Sequence, residues 1–96
     1  MTIKEKTELL KIKDLEIKTI KKIYKEQKDS VIRLYGKVEQ MFSKGNYFTR
    51  SIIGNNYITP LSQRLEMNYS WGKQYLDLFP QNLKVEYSRQ IYSSGI

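Results

Sequence analysis

Residues 2–44 carry one sustained helical pattern, and nothing else in the sequence constrains the fold as strongly. Thr2 and Glu5 stand three apart, the spacing of a capping box in which each side chain satisfies a backbone amide of the other. At the far end, Lys44-Gly45-Asn46 supplies a basic last turn and then a glycine able to adopt the left-handed cap conformation. Between these ends Ile3, Leu10, Ile17, Tyr24, Val31 and Val38 recur every seven residues. A second row, Ile20, Gln27, Leu34 and Met41, lies beside the first. At about 1.5 Å per residue, a single helix of this length would extend roughly 60 Å, too far for the rest of the chain to cover. Two solutions remain: a break near Lys28-Asp29-Ser30 that makes a helical hairpin, or a coiled coil with a second copy.

Self-association is the favoured expectation. Residues 1–44 would form an amphipathic oligomerisation arm with Ile3, Leu10, Ile17, Ile20, Tyr24, Val31, Leu34, Val38 and Met41 in the seam of a homodimer. The seam is not that of a clean zipper, because Lys6, Lys13 and Gln27 occupy second-row positions and Ile12 and Leu15 fall off it. Residues 45–96 would form a small helical unit. Within it, β-branched and aromatic residues flank Gly54-Asn55-Asn56, so 47–58 reads equally as a short β-hairpin or a connecting loop. Thr59-Pro60 reads as a cap followed by a proline at the first helical position. Ser70 could cap a further helix that Pro80 ends. The stretch from Leu83 to Tyr92 fits strand and helix spacing alike. The fold class expected is therefore mainly α.

Composition removes several functions. The chain of 96 residues has no Cys and no His, which excludes disulfides and thiolate metal sites and removes the commonest general base. Three Asp and seven Glu are scattered without a tight acidic cluster, so no enzyme, metal or cofactor is expected. Residues 1–28 alternate lysine with single apolar residues and form no export signal, and no apolar run approaches a membrane span. A cytoplasmic protein without a membrane partner is expected, in the host cytoplasm if the source is a virus. Asn68-Tyr69-Ser70 is then a chance glycosylation match. Seventeen basic and ten acidic residues give a net charge of +7, which favours acidic partners. The abundance of Lys and Ile and the absence of Ala are what an AT-rich genome would write, and such a bias would account for part of that excess.

One segment resembles a known motif. Residues 61–76, LSQRLEMNYSWGKQYL, are similar to the helix-turn-helix of DNA-binding proteins over about a sixth of the chain. Leu61, Ser62 and Leu65 match its first helix, with small Ser62 allowing close approach. Met67 matches the apolar plug of the turn, and Tyr75 the residue anchoring the second helix. Glu66 stands where the motif has glycine, and Gly72 where it has a branched apolar residue. The resemblance implies that Asn68, Tyr69, Ser70, Lys73 and Gln74 face the major groove while Arg64 and Arg50 hold phosphates. The leading functional expectation is thus a small non-enzymatic DNA-binding protein, a dimeric regulator or accessory factor of a virus or mobile element. The alternatives are a helical inhibitor or adaptor that binds a host protein, and a structural oligomer. A stacking surface for unpaired bases at Tyr47, Phe48, Arg50 and Tyr57 is a lesser reading.

Overall fold

A computed structural model describes the backbone of residues 1–94 and the side chains through Ile91. Helices run Ile3–Tyr24 (α1), Lys28–Lys44 (α2), Tyr47–Ile53 (α3), Thr59–Met67 (α4), Tyr69–Leu76 (α5) and Gln81–Ser94 (α6). A π-helical turn, Gly54–Ile58, joins α3 to α4. The fold is mainly α, with no strand among the described residues.

The long helical pattern breaks. The capping box at its start forms as expected: Glu5 N–H donates to Thr2 Oγ1 at 3.0 Å and Thr2 N–H to Glu5 Oε1 at 2.9 Å. These bonds hold the Glu5 carboxyl below its ordinary pKa. The helix then stops at Tyr24, a few residues before Lys28-Asp29-Ser30. Glu26 takes the left-handed conformation (φ 56°), Gln27 N–H returns to the Lys22 carbonyl, and Glu26 N–H to that of Ile23. This is a Schellman ending built without glycine. It folds α2 back on α1, and the chain fits within 40 × 33 × 20 Å.

The hairpin inverts the seam that the sevenfold spacing suggested. Ile12 and Leu15, which lie off that seam, are buried in the core with Ile20, Ile23, Val31, Tyr35 and Val38. Ile20, Val31 and Val38 are therefore unavailable to a second copy. Leu34 and Met41 are half-buried against the same core. Of the nine seam residues only Ile3, Leu10, Ile17 and Tyr24 remain on the outside.

Gly45 ends α2, but in extended conformation (φ −82°, ψ 159°) rather than left-handed. Glycine is required there by crowding, since a Cβ would lie 2.6 Å from the Thr49 side chain and 2.7 Å from the Met41 carbonyl oxygen. Asn46 then caps α3 by accepting Thr49 N–H at 3.0 Å. The backbone stays helical through Gly54-Asn55-Asn56, so the alternatives of β-hairpin and loop at 47–58 both give way to helix. Ile53, Tyr57, Leu61 and Leu65 recur every four residues along one face of this helical run, and all are fully buried. Pro60 lies inside this continuous run, with Thr59 helical rather than an N-cap. A proline within a helix removes one bond and crowds the carbonyl four residues back. The π-turn widens the helix at that point, with Thr59 N–H returning five residues to Gly54 O.

The π-turn packs against α1 and α6, so residues 1–44 and 45–94 share one core. Tyr35, Tyr57 and Tyr75 are fully buried in it. The Tyr57 hydroxyl meets that of Thr19 at 2.7 Å, and Tyr35 Oη donates to the Tyr75 carbonyl at 3.0 Å. Burial raises the pKa of both Tyr35 and Tyr57, so each hydroxyl keeps its proton. Helix α6 is capped across the molecule: Glu39 on α2 accepts Asn82 N–H at 3.1 Å and Leu83 N–H at 3.2 Å. That tertiary cap places Leu83 to Tyr92 in a helix.

Candidate interaction surface

Helices α4 and α5 form where the helix-turn-helix resemblance places them, and Leu61, Ser62, Leu65 and Tyr75 are buried. The local geometry differs from the motif. Met67 is 88 % exposed and plugs nothing. The close approach is made by Gly72, where a Cβ would lie 2.1 Å from the Leu65 carbonyl oxygen, so the departure from the motif is what lets α5 sit on α4. Asn68 alone links the two helices, and neither it nor Ser70 gives α5 a side-chain cap.

Asn68 before α5 and Tyr69, Ser70 and Lys73 on it are exposed, but the face is not a free cationic one. Lys73 Nζ pairs with Asp77 at 2.9 Å, which raises its pKa, and half-buried Gln74 donates to the Trp71 carbonyl at 3.0 Å. Arg64 lies 3.9 Å from Glu16 of α1. Arg50 sits on another wall of the molecule, with Nε donating to the Phe42 carbonyl at 3.1 Å and the guanidinium 5.7 Å from the Phe42 ring centroid. Tyr57, offered for base stacking, is in the core, whereas Tyr47 is exposed and Phe48 half-buried.

The outer face of α1 has a different character. Ile3, Leu10, Ile17 and Tyr24 form an outward row, and Ile3 is 87 % exposed. Exposed Lys6, Lys13 and Lys21 stand three or four residues from row members, so they border it. Fewer acids share that face than the sequence suggests. Glu5 is bound in the capping box, Glu8 accepts the Thr49 hydroxyl, and Glu16 is buried. Asp14 stays outside, paired with Lys18 at 2.9 Å. Folding thus draws Glu8 and Glu16 away from this face and leaves an apolar row bordered mainly by lysine, with Asp14 and Glu26 still exposed beside it.

The row ends on an aromatic stack. Tyr24 lies parallel to Trp71 of α5, with centroids 5.9 Å apart and planes 3° apart. Trp71 in turn tilts against Tyr75 at 5.4 Å. Tyr24, Trp71, Met67, Asn68 and Arg64 line a cavity of about 540 Å³. Trp and Tyr beside Arg and an exposed Met are residue types that anchor interfaces. Nothing in the sequence joins Tyr24 to Trp71; the contact exists only because α5 reaches the end of α1.

Glu16 makes a testable electrostatic feature. Its side chain is 9 % exposed, and its Oε2 has no hydrogen bond among the described residues. Burial raises its pKa, with Arg64 opposing. A carboxyl whose folded pKa is raised contributes stability below its ordinary pKa and loses it as pH rises through the folded value. Ionised Glu16 is therefore a cost at neutral pH. Glu16→Gln should melt at or above the wild type at pH 7, the two converging near pH 4. A variant markedly less stable at pH 7 would mean that the pair with Arg64 outweighs burial.

The geometry defines a small all-α domain with an apolar, lysine-bordered helix face turned outward. No helix among the described residues is long and apolar enough to cross a membrane. The chain belongs to the family described as Domain of unknown function (DUF7674), whose family model matches residues 4–93. No curated protein and no solved structure matches it.

Proposed function

We infer that the chain is a non-enzymatic protein-interaction module whose α1 face docks an acidic helical partner. The observation that carries this reading is the row Ile3, Leu10, Ile17 and Tyr24, left outside although the same helix buries Ile12, Leu15 and Ile23. An amphipathic helix laid along this row would bury apolar surface against it, and anchors seven residues apart suit such packing. Lys6, Lys13 and Lys21 would face acidic residues of the partner, which speeds encounter and fixes register. Charge favours such a partner over a second copy, because each copy carries +7 and would bring a like lysine border to the interface. The cavity at Tyr24, Trp71 and Met67 supplies a pocket for one bulky anchor side chain at the end of the row. The DNA-reading arrangement on α5 has less support, since Asp77 neutralises Lys73 there.

The test uses two labelled amphipathic peptides of equal length, with leucine every seventh residue and either glutamate or lysine flanks. The glutamate peptide should bind the full chain with an affinity that falls with salt, and the lysine peptide should not. Leu10→Asp and Ile17→Asp should each weaken binding by about tenfold or more, since both replace an exposed apolar contact with a repelling charge. Equal binding of both peptides, or indifference to Leu10→Asp and Ile17→Asp, would overturn the reading. So would a dimer that Ile17→Asp disperses, which would give the face to a second copy. Duplex DNA bound tightly while the peptide stays free would restore the DNA-binding reading.

A further inference from the structure

A second concave site is built from other residues. The end of α2, the α3 helix with the π-turn, and α6 enclose a cleft of about 480 Å³. Phe42 and Tyr47 supply aromatic surface, and Arg50, Arg89, Ser51 and Asn55 supply donors. Arg50 is held in place by its Nε bond to the Phe42 carbonyl and by the Phe42 ring. No carboxylate pairs with it, and its terminal nitrogens make no hydrogen bond among the described residues. An anchored guanidinium with its two-pronged edge unused is pre-organised for a planar or tetrahedral oxyanion.

Arg89 faces the same cleft from α6. Its one ion pair among the described residues, Nη1 to Glu86 Oε1, is 3.9 Å long, beyond hydrogen-bond range, so its donors also remain available. The side chains of Ser51 and Asn55 have no hydrogen-bond partner among the described residues. Two arginines and one glutamate leave the lining at +1. The π-turn brings Asn55 to this wall, and such turns recur at binding sites because they displace side chains from regular helical register.

We propose that this cleft binds a small anionic ligand, a carboxylate or phosphate monoester on an aromatic or flat apolar body. Arg50 and Arg89 clamp the oxyanion, Ser51 and Asn55 complete its hydrogen bonds, and the apolar body lies against Phe42 and Tyr47. The proposal is independent of the α1 face and survives or fails without it.

The experiment titrates the isotope-labelled full chain with benzoate, phenyl phosphate and inorganic phosphate while following the Arg50 Nε–H and the Ser51 and Asn55 amides by NMR. Saturable shifts with benzoate or phenyl phosphate are expected, and whichever binds tighter names the oxyanion. Arg50→Gln and Arg89→Gln should each weaken binding about tenfold or more, the effect of a lost charge-assisted hydrogen bond. Lys37→Gln, at an exposed position on α2, should change nothing. Arg89 is 74 % exposed, so its replacement tests the site without disturbing the Phe42 packing that Arg50 joins. No saturable shift at millimolar concentration, or affinity unchanged in Arg89→Gln, would overturn the site. Inorganic phosphate binding as tightly as phenyl phosphate would overturn the role of the aromatic wall.

Discussion

Gly72→Ala is expected to destabilise the protein by about 3 kcal/mol, lowering its melting temperature by more than about 10 °C. The added Cβ would stand 2.1 Å from the Leu65 carbonyl oxygen, 2.7 Å from its carbon and 2.8 Å from its Cα. All three are backbone atoms, so no rotamer change relieves the clash and α5 must lift away from α4. Intrinsic helix propensity acts in the opposite direction, favouring alanine by about 1 kcal/mol. Gly36 separates the two effects. It lies within α2, and a Cβ there would have nothing within 4 Å. Gly36→Ala should therefore stabilise by up to about 1 kcal/mol, the reverse sign for the same substitution. Thermal melts of both variants decide the matter, and a neutral Gly72→Ala would refute the close contact. Trp71 adjoins Gly72, so a displaced α5 should also break the Tyr24–Trp71 stack. The acidic-peptide affinity of Gly72→Ala should fall even at temperatures where the variant stays folded.

Tyr35→Ala should cost about 3–5 kcal/mol, a large share of what a domain of this size possesses. Tyr35 is fully buried, with its ring tilted 43° against Phe79 at 4.8 Å. Truncation opens a cavity where α2 meets the end of α5. The hydroxyl has a separate role. It donates to the carbonyl of Tyr75 in the last turn of α5, where carbonyls lack helical partners. Tyr35→Phe keeps the ring and leaves that buried acceptor unsatisfied, at about 1–2 kcal/mol. Urea denaturation of the three proteins should therefore give three separate midpoints with similar slopes. A phenylalanine variant as stable as the wild type would show that the carbonyl finds another donor.

Local signals in the sequence were reliable where the interaction is local. The Thr2–Glu5 capping box spans four residues, and no distant contact is needed to form it. The all-α class follows from helical spacing along most of the chain, and α4 and α5 occur where Leu61, Leu65 and Tyr75 suggested. Signals that depend on what lies opposite were misleading. A repeat of seven marks the faces of a helix without saying which face is covered. Both the row of Ile3 and Leu10 and the row of Ile12 and Ile23 are apolar, and only the second meets the π-turn and α2.

The sequence by itself determined that this chain is helical, basic, and without cysteine or histidine chemistry. Those properties reside in backbone propensity, capping and composition, which act over a turn or less. Tertiary structure decided the break at Glu26, which no glycine announces, and the helix through Gly54-Asn55-Asn56, whose residues alone favour a turn. It also decided that Gly72 is a contact and not a gap. The same holds for the candidate sites. Glu8 and Glu16 leave the α1 surface only because Thr49 and Arg64 come to meet them, and Tyr24 gains Trp71 only when α5 closes on α1. Burial and charge sorting depend on distances between residues far apart in the chain, and a periodic pattern carries no information about those distances until the core has formed.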